Sequence, residues 1–328
     1  LLQGIQAEFS CGGANGMARL VRLVSISFPG IHGEMPPVER ARRAVEAVSA
    51  RIDEAAYDKP DIIVLPETFT GLGSDGGKDW FASAEPIPGP TTDTLAAKAK
   101  QHNTHIVCPI LEVRDGKRYN AAALIDRTGS IVGVYHKMHP TNPELEGGIV
   151  PGTTAPAWDT DIGRVGCAIC FDLNFRDVAD SLAAHRAELV CFCSMYRGGL
   201  STQIWAFEYG FWFISATPAE NSVIRNPLGQ LVVQSFAYSP TIVAEANLDC
   251  VVCHIDCNQE KIPALKKKYG PLAEIHSISP EAVFLLTSRH PTVSARDMVE
   301  EFKFETRAEY WKRSHANRAI ALMKARES

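Results

Sequence analysis

The stretch Gly163-Arg-Val-Gly-Cys-Ala-Ile-Cys170-Phe-Asp-Leu-Asn-Phe-Arg-Asp177 decides the fold class. Its first half is a run of small and apolar residues, as a strand buried on both faces carries, and the segment Leu173 to His185 reads as a helix. A buried strand therefore runs straight into a helix, with Cys170 at the junction. A sharp turn there exposes the sulfur and points backbone N–H groups and a helix N-terminus toward it, which suits a thiolate. The competing reading is a buried core thiol, as assumed for Cys167 three residues earlier.

The same alternation extends in both directions. Val21 to Phe28 reads as a strand, Val38 to Tyr57 as an amphipathic helix and Asp61 to Pro66 as a second buried strand. After the Pro-rich loop Pro86 to Pro90 come a helix near Thr94 to His102 and a strand over Thr104 to Glu112. Tyr119 to Asp126 and Ser130 to His136 form a hairpin around Arg127-Thr128-Gly129, which a purely parallel sheet does not contain. Further strands are expected at Leu189 to Ser194, Phe211 to Ala216, Gly229 to Ser235 and Thr241 to Asn247, with a helix at Thr202 to Tyr209. So many strands with helices between them predict an α/β domain of two packed sheets covered by helices.

The 328 residues carry 33 Lys+Arg and 38 Asp+Glu, and 45% are hydrophobic. That balance supports a large core and excludes a disordered or collagen-like chain. A net charge of −5 without a long basic run leaves no electrostatic footprint for nucleic acid. The most apolar stretch, Ile204 to Pro218, is interrupted by Glu208, so no membrane span is expected. Nine cysteines, mostly in apolar runs, point to reduced thiols and a cytoplasmic home. Residues 1–16 read as a leader or appended remnant before Met17, and residues 17–290 as one domain. After Pro291, residues 291–328 form a helical arm, either at an oligomer interface or as an intramolecular brace.

Two further segments carry chemistry. Asp61-Ile-Ile-Val-Leu-Pro-Glu67 places a carboxylate at the end of a buried strand, where desolvation favours a general base, although a solvated loop carboxylate or helix cap has the same local sequence. Tyr135-His-Lys137-Met-His-Pro-Thr-Asn-Pro-Glu144 places an ammonium after the hairpin, with Glu144 near enough to hold it. The competing reading is an ordinary surface lysine.

Together the three segments resemble the nitrilase, or carbon–nitrogen hydrolase, superfamily. The order Glu, Lys, Cys and the separations of 70 residues from Glu67 to Lys137 and 33 from Lys137 to Cys170 fit that family. Weaker matches lie at Ala206 to Ser215 and around Asn226-Pro-Leu-Gly229. The resemblance implies a four-layer α-β-β-α sandwich, with Cys170 as nucleophile, Glu67 as base and Lys137 as oxyanion donor, assisted by the Phe171 backbone N–H. It implies that Glu144 orients Lys137 or the substrate, that no metal or cofactor is needed, and that the chain forms a homodimer or larger homo-oligomer. The activity implied is hydrolysis of a small-molecule amide or N-carbamoyl compound through a cysteine thioester.

The motifs divide over substrate. Lys-x-x-Pro-Thr-x-x-Glu resembles true nitrilases, whereas Cys170-Phe171-Asp172 resembles amide-hydrolysing branches, and the residues flanking the nucleophile favour the amide. Candidate substrate contacts are Arg176, Tyr196, Arg197, Trp205 and Glu208, with Arg176 and Arg197 able to grip a carboxylate. A rival of another class rests on Cys250-Val-Val-Cys253-His254, the haem-attachment pattern, with Cys257 as a further thiol for a metal.

Overall fold

The structure is a computed structural model describing residues 19–74, 78–276 and 279–327, without the side chains of 78 and 327. Residues 1–16, read above as a leader, lie outside the described residues. The described chain forms two compact units, one spanning Val21–Ala246 and the other containing Asn247 onward together with Arg19 and Leu20.

The first unit contains two mixed six-stranded sheets. Strands β1 (Leu20–Ile26), β2 (Ile62–Val64), β3 (His105–Arg114), β4 (Lys117–Ile125) and β5 (Ile131–His136) belong to one sheet. Strands β6 (Ala157–Thr160), β7 (Gly163–Ile169), β8 (Leu189–Cys193), β9 (Trp212–Ala216), β10 (Val223–Arg225) and β11 (Leu231–Gln234) build the other, and β12 (Thr241–Asn247) returns to the first. The orders are β12-β1-β2-β3-β4-β5 and β11-β10-β9-β8-β7-β6. The inner strands β1, β2, β3 and β7, β8, β9 run parallel, with antiparallel pairs outside them. The sheets face each other where β2 meets β8 and β9, and β4 meets β7. Strands with neighbours on both faces cannot alternate polar and apolar residues, which is why β8 reads Leu-Val-Cys-Phe-Cys and is buried throughout.

The helices of this unit are α1 (Pro37–Ala55), α2 (Lys78–Phe81), α3 (Pro90–His102), α4 (Asn142–Glu146), α5 (Arg176–Ala184) and α6 (Gly199–Tyr209). Helix α1 starts on a proline and buries Ala44, Val48 and Ile52, which join Leu95 and Ala99 of α3 against Val24, Ile26 and Ile63. Each fully buried aliphatic chain contributes about 1.5–3 kcal/mol. On the other sheet, α5 buries Val178, Ala179 and Leu182. A Cβ on Gly166 of β7 would stand 2.4 Å from Leu182 Cδ2, so a larger residue here would force that leucine to shift. The result is an α/β sandwich with helices outside two sheets.

The predicted hairpin is β4–β5. Its turn closes because Asp126 Oδ1 accepts from the amides of Thr128 (2.8 Å) and Ser130 (2.9 Å) while Gly129 takes a φ of 86°. One expectation is corrected. The helix does not follow Cys170 directly, because residues 170–174 form a 3-10 turn, Phe175 is extended, and α5 begins only at Arg176.

The second unit has strands β13 (Cys250–His254), β14 (Ala273–His276) and β15 (Val283–Ser288) in the antiparallel order β13-β15-β14. Helices α7 (Ile262–Tyr269), α8 (Ala295–Phe302) and α9 (Arg307–Glu327) accompany them. Its core gathers Cys253, Leu265, Phe284, Leu286, Met298 and Phe304. The composition change after Pro291 falls inside this unit. The structural division lies near residue 247, because β13 pairs along its length with β15 and shares that core. Among the described residues no helix is long and apolar enough to cross a membrane.

Candidate active site

Four side chains meet where the parallel strands of the first unit end. Leu65 and Pro66 carry the chain from β2 to Glu67, which is buried, and Thr68 follows with a φ of 42°. Lys137 is the residue after β5 and is buried as well. Glu144 lies in α4, and Cys170 follows β7 with a φ of 47°. Left-handed backbone at a β-branched residue and at a cysteine costs on the order of 1–3 kcal/mol each, and both turns adjoin the same site.

The Lys137 ammonium donates to Glu67 Oε1 (2.9 Å) and Glu144 Oε2 (2.8 Å). Beside it the Asn120 carboxamide donates from Nδ2 to the same two residues, at Glu67 Oε1 (2.8 Å) and Glu144 Oε1 (2.7 Å). Asn120 reaches this position because it lies across the hairpin from Lys137, whose amide donates to the Asn120 carbonyl at 2.9 Å. The other Glu67 oxygen, Oε2, accepts from the Met195 amide (3.0 Å). Cys170 lies within electrostatic reach of the Glu67 carboxylate, the Lys137 ammonium and the Met195 amide. Glu144 Oε2 also accepts from the Thr141 amide (2.7 Å), so one carboxylate caps α4 and steadies Lys137.

Burial alone would discharge Lys137, but Glu67 and Glu144 outweigh it and hold the ammonium charged, with its pKa raised. Burial favours the neutral form of Glu144 too, yet Lys137 and Asn120 keep its pKa low. Cys170 goes the other way. Burial and the neighbouring Glu67 charge push its thiol up to about 12, and Lys137 and the Met195 amide only partly oppose them. The expected thiolate at the strand end is therefore corrected to a protonated thiol. The helix N-terminus that was to stabilise it begins six residues later, and the nearest carboxylate disfavours negative charge.

Asp172 fixes the turn. Its Oδ2 accepts from Tyr135 Oη (2.7 Å) and the Ile169 amide (2.9 Å), and its Oδ1 from the His139 amide (2.9 Å). Burial raises its pKa to about 6 despite these donors. One buried carboxylate thus ties the cysteine turn to the loop that carries Lys137.

Phe171 projects its ring outward, edge-on to Phe175 with centroids 5.1 Å apart. Tyr196 and Arg197 line a cavity of about 510 Å³ with Met195, Pro218 and Glu220. Three candidate substrate contacts are not brought there. Arg176 pairs with Glu208 (2.9 Å), joining α5 to α6, and Trp205 is buried in α6. A helix seated on a sheet turns its charged stripe outward and its aromatic residue inward, which accounts for all three. Asn120 and Asp172 had no assigned role in the sequence. The available signal for Asn120 was a lone amide entering the apolar run Ala121–Ile125.

The haem-attachment pattern is corrected by its backbone. Cys250, Cys253 and His254 occupy β13, where residues three apart face opposite sides of the sheet, so the two sulfurs cannot share one group. Cys253 is buried in the core and His254 stacks on Tyr310 with centroids 3.7 Å apart. Among the described residues no three His, Cys, Asp or Glu side chains are disposed to hold a metal ion.

A family model described as carbon-nitrogen hydrolase matches residues 34–252. Omega-amidase NIT2 of Homo sapiens is 25% identical over 256 residues, covering 70% of this chain and 90% of its own. Nitrilase 2 of Arabidopsis thaliana is 28% identical over 197 residues, covering 54% and 56%. Among solved structures, the amidase from Nesterenkonia sp. superposes with a TM-score of 0.61 at 17% identity, covering 79% of this chain and all of that one.

Proposed function

We propose that this chain, which belongs to the carbon–nitrogen hydrolase family, hydrolyses small-molecule amides through a thioester on Cys170. It is an amidase-like hydrolase. The observation that carries this reading is the buried Lys137 ammonium bridging Glu67 and Glu144 beside Cys170. An omega-amidase lies among its relatives, and the Nesterenkonia amidase has been solved with an acrylamide adduct at its active-site cysteine.

Because the resting sulfur keeps its proton, attack and deprotonation must be coupled. Glu67 Oε2 takes the thiol proton as sulfur adds to the amide carbon, since its partner oxygen is already occupied by Lys137 and Asn120. The C=O pair moves onto oxygen, where the Lys137 ammonium and the Phe171 amide oppose the developing charge. Collapse expels the amine with the proton from Glu67 and leaves the thioester. Glu67 then deprotonates a water that adds to the thioester carbon, and the tetrahedral adduct releases the acid while the proton returns to sulfur. Glu144 acts by holding Lys137.

The test is ammonia release from amides, N-carbamoyl compounds and nitriles, with Cys170→Ala as the blank. Ammonia from amides in the intact protein alone is the expected result, and turnover restricted to nitriles overturns the amide assignment. We also propose a homo-oligomeric assembly, supported by the exposure of Leu200 and Ile204 on α6 and tested by light scattering.

A further inference from the structure

The cavity beside the site has walls of two kinds. Met195 to Gly199 follow β8 and Thr217 to Glu220 follow β9, so the walls hang from the two parallel strands next in order after β7, which leads to Cys170. The near wall belongs to the reaction centre. The Met195 amide donates to Glu67, and the Tyr196 hydroxyl accepts from Asn174 Nδ2 at 3.4 Å, four residues beyond Cys170. About 510 Å³ is ample for a small molecule and modest for a large one.

One cation and one anion face each other across this cavity. Arg197 Nη2 stands 3.8 Å from Glu220 Oε1, and the Arg197 Nε donates only to the Glu220 carbonyl at 3.4 Å. Elsewhere exposed Arg–Glu pairs close fully, with Arg176–Glu208 at 2.9 Å, Arg289–Glu274 at 2.6 Å and Arg313–Glu305 at 2.6 Å. Here the two loops keep the charged groups apart, so most of the guanidinium's five donors and both carboxylate oxygens are left without a close side-chain partner. Gly198 keeps the Arg197 loop in place, since with a φ of 69° a Cβ there would meet Leu173 Cδ2 at 2.5 Å.

We propose that Arg197 and Glu220 form a subsite for a zwitterionic head group, so that the substrate is an amide whose far end resembles an α-amino acid. The proposal rests on the amidase reading above. A carboxylate docks on the Arg197 guanidinium and an ammonium on the Glu220 carboxylate, each gaining a charge-assisted hydrogen bond that the standing pair does not make. A ligand with a carboxylate alone meets Arg197 but is repelled by Glu220, and one with an ammonium alone meets the converse. The loose pair therefore selects against either single charge as well as for their combination.

The test uses four amides of one length: L-glutamine, 4-carbamoylbutanoate, 4-aminobutanamide and butanamide. Binding is measured by calorimetry on Cys170→Ala, and independently by protection of Cys170 in the intact protein against iodoacetamide. The expected result is that L-glutamine binds at least about tenfold tighter than butanamide, and that Arg197→Ala and Glu220→Ala each abolish that preference while leaving butanamide unchanged. Equal affinity for all four, or tighter binding of a singly charged amide, overturns the subsite. Ammonia release from butanamide in the intact protein tests the amidase reading separately. Its absence with every amide defeats that reading, whereas turnover of butanamide with no preference for L-glutamine defeats only the subsite.

Discussion

Two cysteine-bearing segments of this chain look comparably informative when read as short strings, and the folded molecule treats them in opposite ways. Cys170 follows β7 on a left-handed turn and finds Glu67 and Lys137, both distant in sequence, next to its sulfur. Cys253, with the more recognisable Cys-x-x-Cys-His pattern, lies within β13, opposite Phe284, and is buried in the apolar core of the second unit. Reactivity follows from where a strand ends and which strands end beside it. Local pattern at the sulfur contributes less than the long-range polar partners do.

This contrast can be broken most directly at the sulfur. Cys170→Ala should lower ammonia release by more than about a thousandfold with an unchanged far-UV circular dichroism spectrum, and retained turnover would remove the distinction. Asn120→Ala comes next. It strips one donor from each of Glu67 and Glu144, lets the carboxylates drift from Lys137, and should reduce kcat by about ten- to a hundredfold with a smaller change in KM. Glu144 also loses a donor that helps keep its carboxyl charged, so its pKa should rise toward the ordinary carboxylate value.

Alkylation kinetics sharpen the comparison further. With the Cys170 thiol pushed up to about 12, iodoacetamide labelling of Cys170 should rise by about tenfold for each pH unit through pH 9, without levelling off. A plateau near neutrality would mean a preformed thiolate. The smallest effect belongs to the second segment. Cys253→Ser places a hydroxyl in an apolar core and should cost about 1–3 kcal/mol in chemical denaturation of that unit, with ammonia release unchanged.

Much of this was legible before folding. The buried strands β2, β7 and β8 announce themselves because residues packed on both faces must be apolar, and Glu67, Lys137 and Cys170 follow β2, β5 and β7 in the family's order. Less visible were β6 and β10, whose four and three residues are too few to set up a periodicity. The second unit was obscured because its first strand follows β12 almost without a break. Asn120 was silent for a different reason. Its importance lies in two carboxylates 53 and 24 residues away, and a single amide inside a strand carries no local mark of such partners. Arg176 and Glu208 show the converse, since charged residues near a nucleophile in sequence found each other on the outer helices.

The proton held on Cys170 has a consequence outside turnover. Peroxides and disulfides are attacked by thiolates, and a sulfur that loses its proton only when a carbonyl arrives offers them almost none. Loss of ammonia release to hydrogen peroxide should therefore be slow beside the oxidation of a free cysteine, which residual activity after timed exposure would read.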